Sequence, residues 1–60
     1  MNWQELNVAI RDMSEQELKY LIAQERRQKV PRKTFLVRLH QRYSMLRDLR
    51  ERAELLDGLA

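Results

Sequence analysis

Apolar residues recur along this chain at spacings of three and four. Trp3, Leu6, Ile10 and Met13 open the series, Leu18, Leu21 and Ile22 continue it, and Phe35, Leu36, Leu39, Tyr43, Leu46, Leu49, Ala53 and Leu56 complete it. That is the period of one helix face, and no stretch shows the strict alternation of a half-buried strand. The fold class is therefore all-α. Start signals divide the pattern into three helices. Asn2 and Glu5 have the spacing of a capping box, with Met1 and Leu6 placed as a hydrophobic staple. Ser14 and Glu17, flanked by Met13 and Leu18, repeat the signal. These predict a first helix over about 3–12 and a second over about 15–29. Pro31 lacks an N–H and biases Val30 away from the helical region, so it ends the second helix. Proline also favours the first position of a helix, which predicts a third over about 31–57, with Gly58 placed as its C-terminal cap.

The lengths then predict how the helices pack. The third spans ~39 Å at 1.5 Å per residue, about twice the second. A hairpin of the second and third helices leaves the C-terminal half of the third uncovered. The short first helix is of a size to pack back on part of it, with Trp3 either in the core against the end of the third helix or serving as an interface anchor. A second copy of the chain is the other candidate. On a helical wheel Phe35, Leu39, Leu46 and Ala53 fall within about 40° of one another, a coiled-coil-like seam. Arg50 shares that face and Arg42 lies at its edge. A buried, unpaired Arg is very costly, so each must pair with an acid, lie at an end of the core or face a partner.

Sixty residues allow one domain, 1–60, with a marginal core. Folds this small are often held by disulfides, a metal or oligomerisation. The chain has no Cys and one His, which excludes disulfides and a Cys/His zinc site and leaves self-association or efficient helix packing. Val37, Met45 and Leu55 point away from the seam of the third helix, and Tyr20 lies off the stripe of the second. These outward apolar groups favour a homo-oligomer, a dimer, with Leu46, Leu49, Arg50, Ala53 and Leu56 as the candidate self-association surface.

Charge changes the picture most. Residues 26–47 hold eight Lys or Arg and no Asp or Glu: Arg26, Arg27, Lys29, Arg32, Lys33, Arg38, Arg42 and Arg47. Acids outnumber bases on both sides, so a net charge of +3 conceals one positive centre. Such a centre attracts nucleic acid, an acidic protein surface or an anionic membrane. Arg26, Arg27 and Lys29 suit the C-terminus of the second helix, where the dipole is negative. Arg32 and Lys33 occupy the first turn of the third helix, where acids are preferred. Either they are tolerated there as solvated cations, or an anion sits at that turn on the helix amides.

Catalytic chemistry is not expected. His40 has no acid within one turn, Ser14 is explained by capping, and Ser44, one turn from His40, has neither an acid nor an oxyanion site. The single Gly excludes a Gly-rich phosphate loop, and with only short inter-helix turns a substrate pocket of the usual volume is not expected. No cofactor, metal or small-molecule substrate is expected. Met1–Glu5 has neither the basic start nor the apolar run of a signal peptide, and Tyr20–Ala23 is the longest apolar run, so a cytoplasmic location off the membrane is the expectation.

The segments Lys33-Thr34-Phe35-Leu36, Arg38-Leu39-His40-Gln41-Arg42-Tyr43, Leu46-Arg47 and Arg50-Glu51-Arg52 resemble small helical proteins encoded by tailed bacteriophages, over about residues 14–56. The resemblance implies an accessory protein that acts by binding and transfers no functional residues. Three readings stand at this point. The first is a non-enzymatic module that docks an acidic protein through its basic turn and third helix. The second is a nucleic-acid binder using the block 26–47, its affinity falling steeply with salt. The third, a basic amphipathic helix on a membrane surface, needs an apolar face that the core already claims.

Overall fold

A computed structural model describes residues 1–59 and shows a three-helix, all-α protein measuring 47 × 21 × 15 Å. Helix α1 spans Trp3–Ala9 and runs on into a 3₁₀ turn at Ile10–Asp12; α2 spans Glu15–Arg26 and α3 spans Lys33–Leu59. Both N-terminal start signals operate. At α1 the Asn2 Oδ1 accepts the Glu5 N–H at 2.8 Å and the Glu5 carboxylate accepts the Asn2 N–H at 3.2 Å, a complete capping box. At α2 the Ser14 Oγ accepts the Glu17 N–H at 3.2 Å, while the Glu17 carboxylate accepts from the Ser14 hydroxyl instead of the backbone. Between them the chain turns extended at Met13, which breaks the helical run where the second signal begins.

The core is small. Leu6, Ile10, Leu18, Phe35 and Leu39 are buried, and Met13, Leu21, Ile22, Tyr43 and Leu46 pack around them half-exposed. Full burial of one such side chain stabilises by about 1.5–3 kcal/mol, so this cluster supplies most of what holds the three helices together. The main packing is α2 against α3. Along α3, successive contacts from the N-terminal segment fall in order: Met1 at Arg32, Trp3 at Phe35, Asn7 at Arg38, Arg11 at Arg42 and Glu15 at Arg50. Helix α1 thus runs parallel to the first half of α3, and α2 returns antiparallel to both.

Four expectations need correcting. Helix α1 covers the beginning of α3 and not its C-terminal half, so Trp3 lies edge-on to Phe35 (ring centroids 5.9 Å apart) and stays 47% exposed. Helix α2 stops at Arg26, three residues short of the predicted end, because the chain must already turn for Arg32 to meet Glu25. Helix α3 begins at Lys33, not Pro31: Arg32 is the flanking residue whose carbonyl accepts the Leu36 N–H at 3.1 Å. Gly58 is not a C-terminal cap. It lies inside α3, and no glycine among the described residues has a positive φ.

Candidate basic and apolar interface

The positive centre is built around a buried acid. Glu25, near the end of α2, is 6% exposed. Its Oε1 accepts the Arg32 backbone N–H at 3.0 Å and the Arg32 Nε at 2.9 Å, and its Oε2 accepts the Arg32 Nη2 at 3.0 Å. The Arg32 Nη1 donates to the Met1 carbonyl at 2.9 Å, and the guanidinium carbon lies 3.7 Å from the Phe35 ring centroid. A fork-to-carboxylate bond of this kind is among the stronger hydrogen bonds, and the stacked ring adds cation–π attraction. The side-chain bonds from Arg32 hold the Glu25 carboxyl below its ordinary value of 4.5, against the opposing pull of burial. The same bonds raise the Arg32 guanidinium. The anion that the acid-free first turn of α3 calls for is therefore internal. Glu25 does from the end of α2 what the acid of a capping box does within one helix.

This divides the eight basic residues in two. Arg32 faces inward, as described. The Arg38 Nε donates to Asn7 Oδ1 at 2.8 Å, the Arg42 Nη2 donates to the Arg11 carbonyl at 3.2 Å, and Arg47 pairs with Glu51 one turn on at 3.2 Å. The first three pin the N-terminal segment to α3. The Nε of Arg42 is buried without a partner, a local cost of holding that side chain against the 3₁₀ turn. By contrast Arg26, Arg27, Lys29 and Lys33 are exposed, and among the described residues none has an ion-pair partner. These four crowd the α2–α3 turn and the first turn of α3. Arg50 is paired within its own chain, to Glu15 at 2.7 Å and Glu54 at 3.0 Å, which raises its guanidinium further.

Two of the four open cations, Arg26 and Lys33, border a band that the sequence did not assemble. Trp3, Lys33, Thr34, Val37, Arg38 and Gln41 line an open groove of about 350 Å³ on one side of α3. Ile22, Arg26, Leu36, Val37, His40 and Gln41 line a second of about 420 Å³ on the other. Val37 and Gln41 belong to both, so the two form one surface across the outward ridge of α3. Trp3, Ile22, Leu36 and Val37 give it apolar area, with Gln41 beside Val37 and Arg26, Lys33 and Arg38 among its lining. The outward direction of Val37 and the anchor reading of Trp3 are the signs of this band in the sequence. Trp3 joins it because α1 packs beside the start of α3.

His40 stands 6.4 Å from Tyr43, ring centroid to ring centroid. No cluster of three His, Cys, Asp or Glu that could hold a metal occurs among the described residues, and none of their helices is long and apolar enough to cross a membrane. Compared with protein-family models, curated proteins and solved structures, the chain matches none.

Proposed function

We propose that this chain is a non-enzymatic cytoplasmic accessory protein, of the kind its resemblance to small phage-encoded helical proteins implies, that docks an acidic, amphipathic segment of another protein. The observation that supports this reading is that two of the open cations, Lys33 and Arg26, line the Trp3–Val37–Ile22 band. Apolar side chains beside charged ones are the usual anatomy of a protein interface, and Trp is enriched among anchors. Nucleic acid fits less well. Arg32, Arg38, Arg42 and Arg47 are spent on contacts within the chain, which halves the cations left for phosphates. Phe35 is buried and Tyr43 half-buried in the core, which leaves Trp3, 47% exposed, as the single open ring beside the basic block on which a base stacks.

Fluorescence anisotropy over a range of salt tests the reading. Three probes are compared: a labelled helical peptide with Asp and Glu on one face and Leu on the other, duplex DNA, and single-stranded DNA and RNA. The peptide is expected to bind, and Lys33→Glu combined with Arg26→Glu to weaken it by about tenfold or more, a loss of ~1.4 kcal/mol. Both side chains are exposed, so helicity is expected to hold. Oligonucleotides binding more tightly than the peptide, with a steep salt slope, would put the nucleic-acid reading first.

A further inference from the structure

One side chain outside the Trp3 groove ties two of its walls together. Asn7, half-buried on α1, makes two bonds at once. Its Nδ2 donates to the Trp3 carbonyl at 2.8 Å, and its Oδ1 accepts the Arg38 Nε at 2.8 Å. The first bond joins Asn7 to the residue that supplies the ring, and the second joins that turn of α1 to α3. Trp3 and Arg38 both line the groove of about 350 Å³, and Asn7 does not.

Few other contacts fix Trp3. Leu6 and Ile10 bury the inner face of α1, but Trp3 lies three residues before Leu6, meets Phe35 only edge-on and stays 47% exposed. A helix of seven residues is well below the length that persists unaided, so α1 keeps its place through contacts with the rest of the chain. The polar ones share a register. Met1 with Arg32, Asn7 with Arg38 and Arg11 with Arg42 are each 31 residues apart. Arg32 and Arg38 thus hold α1 to α3 on either side of Trp3. The residue type points the same way. Asn is disfavoured relative to Ala inside a helix, and Asn2 already caps α1, so Asn7 has no capping duty.

We infer that Asn7 is a positioning residue of the docking surface, holding Trp3 in the pose that a partner meets. This rests on the docking reading above and names the residue that prepares its anchor. An anchor already ordered loses less freedom on binding, which raises affinity without a new contact to the partner. Ordering one large side chain at the moment of binding reduces affinity by about threefold to tenfold. The effect on stability is smaller, because Asn7→Ala removes two hydrogen bonds and gains a better helix former.

Trp3 is the only Trp in the chain, so its fluorescence reports that pose alone. Time-resolved anisotropy of the free protein and titration with the acidic amphipathic peptide test the inference on the wild type, Asn7→Ala and Asn7→Asp. Asn7→Ala is expected to add a fast component to the Trp3 decay and to weaken peptide binding by about threefold to tenfold, with helicity and urea midpoint close to the wild type. Asn7→Asp keeps an acceptor for Arg38 but loses the donor to the Trp3 carbonyl, and it should fall between the two. A Trp3 decay unchanged in Asn7→Ala overturns the inference. So does a freed Trp3 with unchanged peptide affinity, and so does a urea midpoint that falls in step with affinity, which would make Asn7 a stabilising residue only. A wild type that fails to bind the peptide overturns the docking reading alone, and a Trp3 freed by Asn7→Ala would still support the positioning.

Discussion

The two halves of α3 carry the same kind of apolar stripe and come to opposite ends. In residues 33–46 the stripe is covered: Phe35 and Leu39 are buried, and Tyr43 and Leu46 are held at the edge of the core. In residues 47–59 Leu49, Ala53 and Leu56 continue it and all are exposed. Helical period alone does not distinguish a buried stripe from an exposed one. What separates them is the reach of the neighbours. Helix α2 has 12 residues and α1 seven, against 27 in α3, so the covering layer ends before the long helix does. The polar contacts divide similarly. In the first half, Arg32, Arg38 and Arg42 reach across to other segments, whereas in the second Arg47 pairs within α3 and Arg50 divides between Glu15 and Glu54.

Truncation of the stripe on each side gives the largest contrast. Leu39→Ala, in the covered half, is expected to cost about 2–5 kcal/mol, enough to unfold much of so small a domain. Leu56→Ala, measured at a concentration where the chain is monomeric, should change stability by no more than about 0.5 kcal/mol. Urea denaturation followed by circular dichroism measures both. Similar losses at the two positions would mean that the C-terminal half is packed within the monomer.

The buried acid gives the next effect. Glu25→Gln keeps the shape but removes the charge that Arg32 answers, and it should lower the urea midpoint by less than Leu39→Ala does. The wild type contains the same experiment in its pH dependence. Because the folded-state pKa of Glu25 lies below 4.5, its contribution is present above that pH and is lost as the pH falls through the lowered value. Urea midpoints measured from neutral pH down through the acid range should therefore decline below about 4.5. Part of that decline should be missing in Glu25→Gln. An identical decline in the two proteins would show that other carboxylates carry the acid response.

Gly58→Ala sharpens the comparison at the smallest scale. A Cβ at Gly58 meets no atom within 4 Å, and the residue is helical. Ala is favoured over Gly in a helix interior by about 0.8–1.0 kcal/mol, less at a fraying end. A slight gain in helicity and an unchanged urea midpoint are expected. A loss of helicity would restore the left-handed cap that the position suggests in sequence.

Much of this fold is legible in the order of the residues. Asn2 with Glu5 and Ser14 with Glu17 mark two helix starts, and the three–four spacing names Leu6, Ile10, Leu18, Phe35 and Leu39 as apolar-face positions, all of which are buried. The long third helix with an uncovered end follows from its length against that of the second. These features need information only from residues within a turn or two, because capping and amphipathicity act between near neighbours. The helix bounds near residues 26–33 are not legible in the same way, because the decisive bond, Arg32 to Glu25, joins different helices. The candidate interface is less legible still: Val37 shows its outward direction, but its meeting with Trp3 and Ile22 depends on how three helices pack.

By itself, then, the sequence determined three helices, a marginal core and a concentration of positive charge in the middle of the chain. Only the tertiary structure decided which of those charges remain available. Arg32 is taken by Glu25, Arg38 by Asn7 and Arg42 by the Arg11 carbonyl, because α1 lies parallel to the start of α3. The same placement brings Trp3 beside Val37 and leaves Leu49 and Leu56 without cover. The physical reason is one of range. Helix formation is settled by contacts a few residues apart, whereas the fate of a surface charge or an apolar stripe depends on which distant segment arrives to meet it.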